Sequence, residues 1–219
     1  EKYNVLPLMA PLAGFFGMVP PPPTATKHEF RGGVQNVLSG MIPRIYNHSY
    51  AISADLVIPA GGAEGVIVAE ADHLGGFSLW VDENGKLTHT YSMMGVFVFR
   101  QTAEEPLPEG EVNVRMEFAA DAAKPATGGE VTLFINDKKV GGGRMEHTVP
   151  IRFSGYAGMD IGRDNGGVVD LSYEDRKPFA FTGTIKKVVF DVNPHPSDEE
   201  AHDLHAATHQ GHTAHALSA

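Results

Sequence analysis

Tyr50-Ala51-Ile52-Ser53-Ala54-Asp55-Leu56-Val57-Ile58 sets Tyr50, Ile52, Ala54, Leu56 and Ile58 on one side of an extended chain and Ser53 and Asp55 on the other. This is the period of two that a strand with one wet face requires. Working outward, Phe77 to Val81 and Lys86 to Tyr91 flank Asp82-Glu83-Asn84-Gly85, where Asn84 and Gly85 tolerate the positive φ of a tight reversal. Val131 to Ile135 and Lys138 to Val140 flank Asn136-Asp137 in the same way, giving a second hairpin. Val112 to Phe118 and Thr184 to Val192 add strong runs, and Val66 to Ala69, Val96 to Phe99 and Val149 to Phe153 weaker ones. Short links between short runs predict an all-β fold, an antiparallel β-sandwich over residues 28–193.

Different material flanks that body. Residues 1–27 read as an apolar, proline-rich connector from a missing upstream domain. Val5 to Val19 is apolar, interrupted by Pro7, Pro11, Gly14 and Gly17, and is followed by four prolines, Pro20 to Pro23, that suit an extended spacer. The run is shorter than the roughly 20 residues that span a bilayer, so no membrane partner is expected and the segment should pack on something else. Opening at Glu1 rather than Met, the sequence is expected to begin inside a longer polypeptide or after a processing event. Residues 194–219 form a His-rich tail, with a short helix suggested by Ser197 and Glu200 in a capping-box spacing.

The 219 residues carry 17 Lys and Arg against 27 Asp and Glu, a net charge of −10. Such a balance offers no bulk positive field for a phosphate backbone, so nucleic acid is not an expected partner. The absence of cysteine removes disulfides, thiolate metal sites and cysteine nucleophiles together, without fixing the compartment. GxSxG, GxxxxGK, HExxH and GxGxxG are all absent. Gly141-Gly142-Gly143 follows a hairpin strand without a helix start, so it reads as a bulge or strand end rather than a phosphate loop.

Candidate binding residues are few. His202, His205, His209 and His212 are three, four and three apart, and on a helix they would share a face able to hold a soft divalent metal. The plainer reading is a tail that captures metals weakly. Asp160, Asp164, Asn165 and Asp170 lie among glycines and could lend oxygens to calcium on a sandwich rim, although such clusters are more often turns. Trp80, Tyr91 and Tyr50 could stack on a sugar, but the strongly apolar strand around Trp80 makes core the better expectation. Asn47-His48-Ser49 fits a glycosylation acceptor, a motif met often by chance.

Several ordered segments resemble the C-terminal region of large microbial arylsulfatases. They are Lys2-Tyr3-Asn4-Val5-Leu6-Pro7-Leu8, Ile58-Pro59-Ala60-Gly61-Gly62-Ala63-Glu64-Gly65-Val66-Ile67, Gly75-Gly76-Phe77-Ser78-Leu79, Val114-Arg115-Met116-Glu117-Phe118 and Gly129-Glu130-Val131-Thr132-Leu133, followed by Thr148-Val149-Pro150 and Phe181-Thr182-Gly183. The Gly-Phe-Ser-Leu-Trp and Thr-Leu-Phe-Ile-Asn strands also resemble those of laminin-G or concanavalin-like jelly rolls. The sulfatase resemblance implies an accessory β-sandwich that covers a catalytic domain. That domain's formylglycine nucleophile, from CxPxR or SxPxR, works beside calcium. Neither motif occurs in this chain, so no catalytic residue carries over, no cofactor is expected in the chain itself, and calcium belongs to the missing catalytic domain. The expected partner is that upstream sulfatase domain, with homo-oligomer contacts open. The alternative is an independent carbohydrate-binding, lectin-like module making glycan contact.

Overall fold

The structure, a computed structural model, describes residues 26–192. Eleven strands form two antiparallel sheets. The larger contains β1 (Lys27–Phe30), β2 (Tyr50–Ile58), β7 (Gly110–Ala120), β8 (Gly129–Ile135), β9 (Lys138–Met145) and β11 (Thr184–Asp191), in the order β1-β11-β2-β7-β8-β9. The smaller contains β3 (Gly65–Asp72), β4 (Gly75–Val81), β5 (Lys86–Met93), β6 (Phe97–Pro106) and β10 (Met159–Ile161), in the order β10-β3-β4-β5-β6. The apolar row of β2 faces inward as its alternation demands, paired with Val112, Val114, Met116 and Phe118 of β7. Opposite it lie Val68, Phe77, Leu79, Val81, Leu87 and Tyr91 of the smaller sheet, closing one continuous core.

Both hairpins form. In the first, Asp82 accepts the backbone N–H groups of Asn84 and Lys86, and only Gly85 takes a positive φ, so Asn84 does not share the reversal as its residue type had suggested. In the second, Asn136 and Asp137 both adopt positive φ, the conformation a two-residue reversal needs. The glycine triplet lies within β9, where the β8–β9 register shifts, and an added Cβ at Gly141 would stand 2.9 Å from the Thr102 carbonyl oxygen. These glycines let β9 approach β6 and close one side of the sandwich.

One expectation needs correction. Val149 to Phe153 is not a strand, although Val149 and Phe153 are buried and Ile151 is exposed. Its backbone finds other partners: the Val149 N–H donates to the Tyr91 hydroxyl at 2.8 Å, and the Pro150 carbonyl accepts from Asn47 at 3.1 Å. Phe153 instead acts as a wedge whose ring meets Tyr46, Phe77 and Tyr91. The interior is not purely apolar. Glu70 pairs with Phe77 on the inner face of the smaller sheet, and His89 pairs there with Gln101. Burial pushes Glu70 up to about 8, against a hydrogen bond from Tyr46, and leaves one carboxyl oxygen without a partner. Burial lowers His89 to about 4, opposed by its 3.0 Å bond with Gln101, so the imidazole is neutral near pH 7. Among the described residues no helix is long and apolar enough to cross a membrane.

Candidate functional site

The outer face of the smaller sheet differs from a simple wet face. Alternation places Ser78 and Trp80 of β4, Thr88, Thr90 and Ser92 of β5, and Val98, Arg100 and Thr102 of β6 on it. Residues 162–180, including a 3-10 segment at Leu171–Arg176, fold back across part of this face. Trp80 is therefore buried, but not between the sheets. It belongs to a second small core with Val66, Ala69, Val168, Val169, Tyr173 and Phe179, and its ring meets Tyr173 and Phe179 edge-on. The Trp80 indole N–H donates to Thr90 at 3.1 Å, satisfying its one polar atom. Tyr50 and Tyr91 lie in the main core, so none of the three aromatics considered for sugar stacking offers an open ring.

Carboxylates pin the covering segment. Arg100 grips Asp170 with two bonds, Nε at 2.8 Å and Nη2 at 2.5 Å, while Thr90 donates to the same carboxylate at 2.7 Å and the Ser172 N–H at 2.9 Å. Burial disfavours charge on Asp170, yet the Arg100, Thr90 and Ser172 donors outweigh it and hold the carboxyl below its usual range. Asp164 accepts from the Val169 N–H at 3.0 Å and the Tyr173 hydroxyl at 2.9 Å, and burial pushes it up to about 6. Asp160 accepts from the Asn36 and Asn165 N–H groups at 2.7 and 3.1 Å. The acidic cluster organises turns, the reading its composition favoured over a calcium rim, and anchors a covering segment; among the described residues no three His, Cys, Asp or Glu side chains converge. His202, His205, His209 and His212 lie outside the described residues.

Where the covering segment stops, a trough remains along β6. One part, about 330 Å³, lies between His73, Gly95, Val98, Arg100 and the segment Val169–Ser172. The next, about 320 Å³, is lined by Asp82, Glu83, Thr88, Arg100, Thr102, Ser172 and Arg176, with Trp80, Tyr173 and Phe179 in its wall. Both volumes fall at the lower end of the range for small-ligand sites. Arg100 and Ser172 border both parts, and the Arg100 side chain stays 45% exposed while that of its partner Asp170 is at 1%. The trough presents hydroxyl, guanidinium and carboxylate groups from the sheet and from the segment that covers it, a set suited to hydrogen-bonding a hydroxyl-rich ligand. Sequence reading missed it because Arg100, Thr102 and Ser172 belong to no motif. Alternation in β5 and β6 marks a polar outer face but cannot show which part another segment covers.

No protein-family profile and no curated protein matches the chain, so the sulfatase resemblance rests on the quoted segments alone. Solved structures do match. The CBM40 domain of a Ruminococcus gnavus IT-sialidase aligns over 78% of this chain and 95% of its own, at 11% identity and a TM-score of 0.51. NanB with Optactamide aligns over 80% of this chain and 27% of its own, at 13% identity and a TM-score of 0.51. Domains LG4-5 of the mouse laminin alpha1 chain align at 14% identity over 78% of this chain and 42% of theirs, with a lower TM-score of 0.46. At such identities the likeness establishes the fold, an antiparallel two-layer sandwich.

Proposed function

We propose that this sandwich is a carbohydrate-binding, lectin-like module that recognises glycan through the trough beside β6. The observation that carries the reading is the trough itself, in which Arg100 and Thr102 of β6 face Ser172 and Arg176 of the covering segment and together offer hydrogen-bonding groups. The fold it shares with the sialidase CBM40 domain supports the reading, since the likeness spans nearly all of that carbohydrate-binding module. Recognition by this trough works through hydrogen bonds, because Trp80, Tyr173 and Phe179 in its wall are almost wholly buried and the Arg100 charge is already paired with Asp170.

A glycan array spanning neutral, sialylated and sulfated sugars, followed by calorimetry on the best ligand, tests this. Thr102→Arg is the informative variant, because Thr102 is exposed and a long side chain there fills the trough without disturbing a core. Binding weakened at least about tenfold, roughly 1.4 kcal/mol, in a variant with unchanged melting supports the module. Absence of any glycan ligand, or binding indifferent to Thr102→Arg, overturns it. Trp80→Ala is a poor probe, because it dismantles the small core under the covering segment.

A second reading makes the same sandwich the C-terminal layer of an arylsulfatase-like hydrolase, inactive by itself. The observation that suits it is the joining of Thr26 to Val192 by a 2.8 Å backbone bond, so both ends of the described chain leave at one end of the sandwich, where a neighbouring domain would attach. Glycan binding by the separate chain favours the first reading. Stable association with a sulfatase catalytic domain, without glycan binding, favours the second.

A further inference from the structure

The ends of the sandwich are not equivalent. At one end lie the β3–β4 turn, the β5–β6 turn and residues 146–158, together with the start of β1 and the finish of β11. Leu74, Met94, Val96, Ile151 and Tyr156 all stand exposed there, Ile151 at 80% and Tyr156 at 87%. Leu74, Met94, Ile151 and Tyr156 border a groove of about 670 Å³ whose floor includes Val149 and Phe153. Exposed apolar side chains gathered at one end, rather than scattered singly, mark a contact surface.

We propose that the groove is covered by the chain's own segment Val5–Val19. These fifteen residues carry no charged or hydrogen-bonding side chain and include Leu6, Leu8, Leu12, Phe15 and Phe16, a composition that matches the groove. Their point of attachment lies at the right end: Thr26 accepts the Val192 N–H, and Lys27 faces Asp191 at the start of β1. The seven residues 20–26 reach about 20 Å even as a polyproline-type spacer. Three strand spacings of about 4.8 Å separate the β10 edge from the β5–β6 turn, and the two sheets lie about 10 Å apart, so the groove is within range. A tether this short gives the segment an effective concentration in the millimolar range, ahead of any free partner at micromolar levels. The segment's docking site therefore lies in its own chain rather than on an upstream domain.

The test uses the full chain with Ile151 replaced by p-benzoylphenylalanine, irradiated below micromolar concentration, with adducts mapped by mass spectrometry. Intramolecular cross-links into residues 5–19 are expected. Cross-links between two chains, cross-links only to other regions, or none overturn the proposal. The same photoprobe at Met94 provides an independent position should the first variant misfold. As a second measurement, the Phe15→Asp/Phe16→Asp variant should raise deuterium uptake several-fold in 94–96 and 149–156 and leave 100–102 unchanged. Equal uptake in all these segments also overturns it. The outcome is independent of glycan binding, which reads the trough on the sheet face.

Discussion

Replacing Glu70 by Gln removes a carboxyl that the fold buries between its sheets, close to Tyr46, Tyr50 and Tyr91. Burial lifts the folded pKa from an ordinary 4.5 to about 8. The folded protein therefore binds a proton that the unfolded chain gives up, and stability falls as pH climbs through this interval. His89 has the opposite sign: burial holds it near 4 against an ordinary 6.5, so its contribution is lost as pH falls from 6.5 and is constant above that value. Asp164, raised to about 6, has largely titrated by the same point. The window from pH 6.5 to 8 thus belongs mainly to Glu70, at about 1.4 kcal/mol per unit, or about 2 kcal/mol across it. Urea unfolding of the parent and of Glu70→Gln at both pH values gives the difference directly. The amide carries a constant cost for burying its N–H groups, which shifts both points equally and cancels. The parent should lose about 2 kcal/mol more than the variant over this window. Parallel losses would show that Glu70 titrates elsewhere and would refute the account of its burial.

Other expectations follow from the same geometry. Gly141→Val places a Cβ against the Thr102 carbonyl and the Ala103 Cα, both backbone, and should destabilise by about 1–3 kcal/mol in thermal or urea unfolding. At Gly143 the nearest neighbour is only the Gln101 side chain at 3.4 Å, so Gly143→Ala should cost less than about 1 kcal/mol. Trp80→Ala should cost about 3–5 kcal/mol and raise proteolytic cleavage within 163–180, because the cover of the outer face packs on that ring. Asp170→Asn weakens the grip of Arg100 on the covering segment. About 1.5–3 kcal/mol of stability should be lost, together with glycan binding, measured by unfolding and calorimetry.

The legible parts of the fold were those governed by short-range rules. The Tyr50–Ile58 run emerged with the predicted bounds and inward row, and both hairpins formed where turn residues separated alternating runs. Val149 to Phe153 misled because its β-branched and aromatic residues suit a strand, whereas only Val149 and Phe153 are buried, Ile151 stands exposed and the backbone bonds elsewhere. Its amide and carbonyl partners come from a tyrosine hydroxyl and an asparagine far along the chain. Strands β1 and β10, four and three residues long, carry too little pattern to stand out and depend on partners distant in sequence. The trough was hidden for a related reason. Trp80 sits on the outer face of its sheet, and contacts distant in sequence, such as the Asp170–Arg100 pair seventy positions apart and the packing of Tyr173 on the indole, explain why it is covered while Thr102 stays open. Asp160, Asp164 and Asp170 were recognisable as turn-formers, but their anchoring role required the sheet beneath them.

Amide chemical-shift mapping of a glycan titration, on the isotopically labelled chain, locates the glycan-binding surface residue by residue. Ligand-dependent shifts concentrated at Arg100 to Thr102 and at Ser172 to Arg176, saturating with the calorimetric affinity, are the predicted result. A bound glycan that leaves those amides unmoved and shifts another surface, or a spectrum unchanged by every glycan tried, would contradict it.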